Sequence, residues 1–186
     1  MCEGETERNY FRAIKEDSEF KQMLSAIHPQ TVTAKNPSPE QVVKEALNRA
    51  KKEKKADNPY DKIWVVFDHD NYPNRKAAYN KAIKENISVA FSAIAFENWY
   101  LLHFEKTAKA FPSASSLIKV LNKYYPNYQK AKQNDFAFLK PPLSTANKNA
   151  QWLRERMKEE GVSITDSNPW TDVDLLVGEL IGINLS

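Results

Sequence analysis

A chain of 186 residues with 41% apolar and 27% charged side chains has the material for one well-cored domain, with room for a small helical annex. Its single cysteine, Cys2, excludes an intrachain disulfide and fits a reducing, cytoplasmic setting, and no apolar run approaches the ~20 residues of a membrane helix. The net charge of +3 is unevenly spread: residues 1–104 carry 16 basic and 15 acidic side chains, residues 105–160 carry 11 and 5, and residues 161–186 carry none and 4.

The first predicted element is one long helix from Thr6, as its cap, to Ile27. Its apolar positions Tyr10, Phe11, Ile14, Met23 and Leu24 recur at three- and four-residue steps, and Pro29 stops it. Residues 31–34 read as a short strand, and residues 40–56 as a helix whose lysine-rich end is solvated. The apolar run 63–67, Ile-Trp-Val-Val-Phe, reads as a strand buried on both faces. A turn around Pro73, a helix over 75–85 and a second apolar strand over 87–92 follow. Strand–helix alternation of this kind predicts an α/β fold with a mainly parallel sheet and crossover helices.

After residue 92 the pattern turns helical, over 96–104, 113–124, 146–160 and 173–183. Residues 124–128 and 135–143 read as ordered loop, and 169–172 as a turn and cap. The expected division is an α/β core over 1–104 and a carboxy-terminal helical extension over 105–186, packed as one compact unit.

The chemistry concentrates where the 63–67 strand stops, at Asp68-His69-Asp70. Ligands of open α/β sheets bind at the carboxyl ends of strands. Asp68 and Asp70 point the same way if the backbone stays extended, and a divalent cation would offset their repulsion. Alternatively, Asp68 ends the strand and Asp70 caps the next helix. Glu3, ahead of the first helix, can reach the same sheet edge. Three acids there would suit one or two Mg2+ ions handling a phosphodiester. Glu3, Glu5 and Glu7 can equally serve the dipole of the helix they precede. Glu97 either serves a helix dipole too or joins the Asp68 edge from the end of the next strand.

His69, flanked by acids, is a candidate ligand, proton shuttle or exposed residue. His103 lies on an aromatic helix and reads first as a core histidine. Tyr124, Tyr125 and Tyr128, interleaved with Lys123 and Lys130, either stack bases or form a packed corner. The basic stretch 105–160 is the candidate footprint for a polyanion, or a solvated lysine-rich surface. Cys2 has no basic neighbour placed to activate it. There is no Gly-rich phosphate loop, CxxC or HExxH pattern, which argues against a sugar-nucleotide enzyme, a structural zinc and a zincin.

The order Glu-Gly, helix, strand, helix, strand ending in Asp-x-Asp resembles the Toprim fold. More specifically, the chain resembles the RloB-like family, small Toprim-type proteins associated with restriction and phage defence. Four segments carry the resemblance: Cys2-Glu3-Gly4-Glu5-Thr6-Glu7 with Asn9-Tyr10-Phe11; Val65-Val66-Phe67-Asp68-His69-Asp70; Ala90-Phe91-Ser92 with the run from Phe96 to Phe104; and Asn149-Ala150 with the run from Asn168 to Val177.

The resemblance implies a Toprim-like, Rossmann-like sheet flanked by helices and an Mg2+- or Mn2+-dependent nuclease of bacterial defence. Glu3 would be its acid/base or metal-linked glutamate, and Asp68 and Asp70 its metal-holding aspartates. Glu97 and His103 match its signature helix. By the charge balance rather than the resemblance, Lys119, Lys123, Lys130, Lys132 and Arg154 of the basic stretch would contact DNA or RNA. An AAA-type ATPase partner and a homo-oligomer are further expectations, and the alternative function is a non-catalytic regulatory subunit of such an ATPase.

Two departures stand out. His69 replaces a side chain more often basic or acidic. The strand that should precede Glu-Gly is reduced to Met1 and Cys2, which predicts a frayed, unpaired start, either because that strand is missing or because the natural chain begins upstream.

Overall fold

The computed structural model describes residues 1–182 except 28, 36–37, 69–72 and 133; nothing is described of the side chains of 25–27. His69 and Asp70 thus lie outside the described residues.

The apolar run forms strand β1 (Trp64–Asp68), and the second run forms β2 (Ser88–Ala93). They pair in parallel, with Val66 opposite Ala90 and Asp68 opposite Ser92. Val65, Val66 and Phe67 are buried, as are Ala90, Phe91 and Ser92, as expected of strands covered on both faces. A third strand, β3 (Trp170–Thr171), runs antiparallel to β2. The order is β1-β2-β3, so the sheet is only partly parallel, with one antiparallel pairing at β3. β3 lies in the stretch expected to be a turn, because two residues carry no readable periodicity.

The amino terminus is paired, not frayed. Cys2 bridges Val66 on one side and Thr33 on the other, both in parallel. The Cys2 amide donates to the Val32 carbonyl at 2.7 Å, and the Ala34 amide donates to the Cys2 carbonyl at 2.9 Å. On the β1 side, the Glu3 amide donates to the Val66 carbonyl and the Val66 amide to the Met1 carbonyl, both at 2.9 Å. One residue wedged between two neighbours satisfies its backbone groups on both edges, which a free three-residue tail could not do.

The first helical stretch is two helices, α1 (Glu5–Glu16) and α2 (Lys21–Ile27). Gly4 rather than Thr6 precedes the first turn. The break falls at Asp17, whose carboxylate accepts from the Glu19 amide at 2.9 Å and from Lys140 Nζ at 2.6 Å. An aspartate that bonds the backbone two residues on competes with helix continuation, and the lysine holds it there. Helix α3 (Pro39–Lys55) starts at Ser38, whose hydroxyl accepts from the Gln41 amide at 3.3 Å. Next come α4 (Arg75–Lys84), α5 (Glu97–Leu101) and α6 (Ala114–Leu121), the last opened by a Ser113–Ser116 capping box. Helix α7 (Asp135–Leu139) occupies part of the expected loop. It is followed by α8 (Leu143–Glu159) and α9 (Val173–Leu180).

The later residues are built into the core. Tyr10 of α1 packs its ring against Phe96, Tyr100 and Phe136, centroids 5.5–5.7 Å apart. Asn149 Nδ2 of α8 donates to the Leu102 carbonyl at 2.8 Å. Among the described residues no helix is long and apolar enough to cross a membrane.

Candidate functional site

β1 carries Asp68 to its carboxyl end, and the Cys2–Val66 pairing sets Glu3 one residue beyond it at the same edge. The two acids are joined directly: the Asp68 amide donates to Glu3 Oε2 at 3.1 Å. Both are buried, each 7% exposed. Glu3 therefore does not simply face solvent near a helix amino terminus; its carboxylate receives the backbone of the strand end.

The first turn of α1 adds Glu7, for which the sequence favours only a role at the helix dipole. Glu7 is 4% exposed and packs against Gly4: a Cβ at residue 4 would lie 2.7 Å from Glu7 Oε2. Gly4 has an extended backbone, so a side chain there would meet no strain in φ and would only displace the Glu7 carboxylate. Burial pushes the Glu7 carboxyl up to about 7 and the negative charge of Glu97 adds to this, while nearby backbone amides and the Lys130 ammonium pull the other way. A readable signal existed, since Glu7 shares the three- and four-residue spacing of Tyr10, Phe11 and Ile14 and so falls on the buried stripe.

Glu97 opens α5 and is fully buried. Its Oε1 accepts from the Tyr128 hydroxyl at 2.8 Å and lies 3.8 Å from Lys130 Nζ. Glu97 Oε2 and Glu7 Oε2 have no hydrogen-bond partner among the described residues. Buried carboxylate oxygens with spare lone pairs suit a proton or a hard cation such as Mg2+ or Mn2+. Among the described residues no group of three or more His, Cys, Asp or Glu side chains gathers as a metal centre; Asp70 is outside them. Neither Tyr128 nor Lys130 could be assigned to Glu97 locally, because each reaches it from about thirty residues away along the chain.

The remaining candidates divide. Lys119, Lys123 and Lys132 are exposed, and Lys130 is half-exposed beside Glu97. Arg154 is not available to a polyanion. It is buried, its guanidinium grips the Asp174 carboxylate through both terminal nitrogens (Nη2 to Oδ2 at 2.8 Å), and Nη1 donates to the Thr171 carbonyl at 3.0 Å. Its place on the inward face of α8, beside two acids near β3, accounts for this. His103 is a core residue. Its Nδ1 lies 2.9 Å from the Trp99 carbonyl, and burial lowers its pKa to about 4, leaving it neutral. Tyr125 and Tyr128 form a packed corner, with hydroxyls on Asp135 and Glu97, whereas Tyr124 is 39% exposed. Burial raises the Cys2 thiol to about 12, so it is inert. Asp172, expected only as part of a turn and cap, is buried beside β3 and pushed up to about 6 by desolvation.

A model of the family described as RloB-like protein matches residues 1–180, almost the whole chain. The chain belongs to the RloB-like family. The match takes in the Glu3–Asp68 pair and the neighbouring acids Glu7 and Glu97 of the buried helix starts. No curated protein and no solved structure matches this RloB-like chain.

Proposed function

We propose that this RloB-like protein is a Toprim-like, metal-dependent nuclease of bacterial defence, cutting DNA or RNA in the cytoplasm. One observation carries the reading. Glu3 and Asp68, far apart in sequence, are joined at the carboxyl edge of the parallel strands, where α/β enzymes place their ligands. Hard carboxylate oxygens fit Mg2+ or Mn2+ better than a soft metal. Glu3, Asp68 and Asp70 would hold such an ion, which would supply Lewis acidity toward a phosphodiester.

The other roles belong to the chain's own side chains. Glu3 holds the backbone of Asp68 and so positions that carboxylate. Glu7, with a pKa of about 7, is poised to accept or release a proton near neutral pH. Lys130 offsets the negative charge of Glu97. The exposed lysines 119, 123 and 132 lie in the most basic part of the sequence and suit phosphate contacts. An AAA-type ATPase partner and self-association belong to this reading as proposals.

The test is cleavage of single- and double-stranded DNA and of RNA with Mg2+ or Mn2+, with and without a candidate ATPase. Wild type is expected to cut, and Asp68→Ala to lose cleavage while keeping nucleic-acid affinity within about twofold, because the affinity rests on lysines. If wild type with its partner cuts nothing, or Asp68→Ala cuts as well as wild type, the chain is instead a non-catalytic subunit of that ATPase.

A further inference from the structure

Four aromatic rings, Phe104, Tyr124, Tyr125 and Phe138, meet in one cluster, and Tyr125 joins it to the Tyr128 corner (centroids 5.5 Å apart). Phe104 lies parallel to Tyr124 (interplanar angle 2°, centroids 5.8 Å apart) and also touches Phe138 at 5.9 Å. Phe138 in turn stacks on Tyr125 at 4.2 Å. Tyr125 is buried, but Tyr124 is 39% and Phe138 45% exposed. The Tyr124 ring is anchored at its far end, where its hydroxyl donates to Glu105 Oε2 at 3.0 Å. Large rings held rigidly at a surface are ready-made contact area, because little side-chain freedom is lost when something stacks on them.

The segment that carries these rings is basic. Residues 104–139 carry lysines at 106, 109, 119, 123, 130 and 132 against only two acids, Glu105 and Asp135. Asp135 is buried and receives the hydroxyls of Tyr100 and Tyr125, and Glu105 is engaged by Tyr124. Lysine is depleted from protein–protein interface cores, whereas aromatic rings among lysines suit bases and phosphates together.

We propose that Tyr124 and Phe138, with Phe104 beneath both, form a stacking platform for the unpaired bases of a single-stranded nucleic acid. Lys119, in the last turn of α6, and Lys123, next to Tyr124 in the chain, are exposed and meet its phosphates. A duplex already stacks its bases on one another, so the platform selects unpaired stretches. The inference rests on the reading of this chain as one that handles nucleic acid, but it is measured by binding without metal and so separately from cleavage.

The experiment is fluorescence anisotropy in EDTA with labelled single strands of about 16 nucleotides, DNA and RNA. The controls are the matching duplex and an abasic strand of equal length and charge. Wild type should bind a base-bearing strand at least tenfold tighter than the abasic one. Tyr124→Ala with Phe138→Ala should bring the two together, with roughly tenfold lost per ring, while Tyr124→Phe with Phe138→Trp should keep the difference. Wild type that binds no single strand, binds base-bearing and abasic strands alike, or prefers the duplex overturns the platform whatever the variants do. The alanine pair binding as wild type does overturns it too. Cleavage that persists after such a result leaves the nuclease reading standing.

Discussion

Replacing Glu7 by Gln keeps the shape of the side chain and removes its charge. Free in the unfolded chain, this carboxyl ionises near its ordinary 4.5; in the fold it holds its proton up to about 7. Below pH 4.5 both states are protonated and the shift costs nothing. Between pH 4.5 and 7 the folded state keeps a proton that the unfolded state has released, so stability falls as pH rises. Above pH 7 the full penalty, roughly 3 kcal/mol at about 1.4 kcal/mol per pH unit, is present. Glutamine does not titrate and escapes it. For a chain of this size about 1 kcal/mol shifts melting by roughly 2–4 °C. Glu7→Gln is therefore expected to melt roughly 6–12 °C above wild type at pH 8, and within about 3 °C of it at pH 5. Thermal melts followed by circular dichroism at the two pH values measure this directly, and groups common to both proteins cancel in the difference. An equal gain at both pH values, or none at pH 8, would show that Glu7 is not the buried, proton-holding carboxyl described here.

Arg154→Ala would leave the buried Asp174 carboxylate unpaired, and urea unfolding should show a loss of about 3–5 kcal/mol; a loss under about 1 kcal/mol would place the pair in solvent. Tyr128→Phe removes the hydroxyl that donates to Glu97. It is expected to cost about 1–3 kcal/mol in the same assay, and an unchanged midpoint would mean that Glu97 finds another donor.

Much of the architecture was legible from local pattern. The run ending at Asp68 announced a strand buried on both faces, and the stripe Tyr10-Phe11-Ile14 announced the inner face of α1. The helices expected over 40–56 and 113–124 formed as α3 and α6, with Ser38 and Ser113 as the hydroxyl caps that open them. Such signals depend on neighbours within a few residues, so a single sequence carries them.

Other features were settled only by tertiary contact. Asp17 breaks the first helix with the help of Lys140, 123 residues away. The three residues at the start of the chain become a paired segment only because β1 and the Thr33 segment arrive on either side. β3 is too short to announce itself and exists because β2 offers an open edge. Arg154 looked like a phosphate contact by its charge and became an internal counter-ion because α8 turns it toward Asp174. Composition specifies which groups carry charge, but whether a charge meets solvent, a partner or a buried acid depends on which distant segments fold against it. Glu3 and Asp68 lay in two recognisable motifs; the hydrogen bond that joins them across 65 residues belongs to the fold.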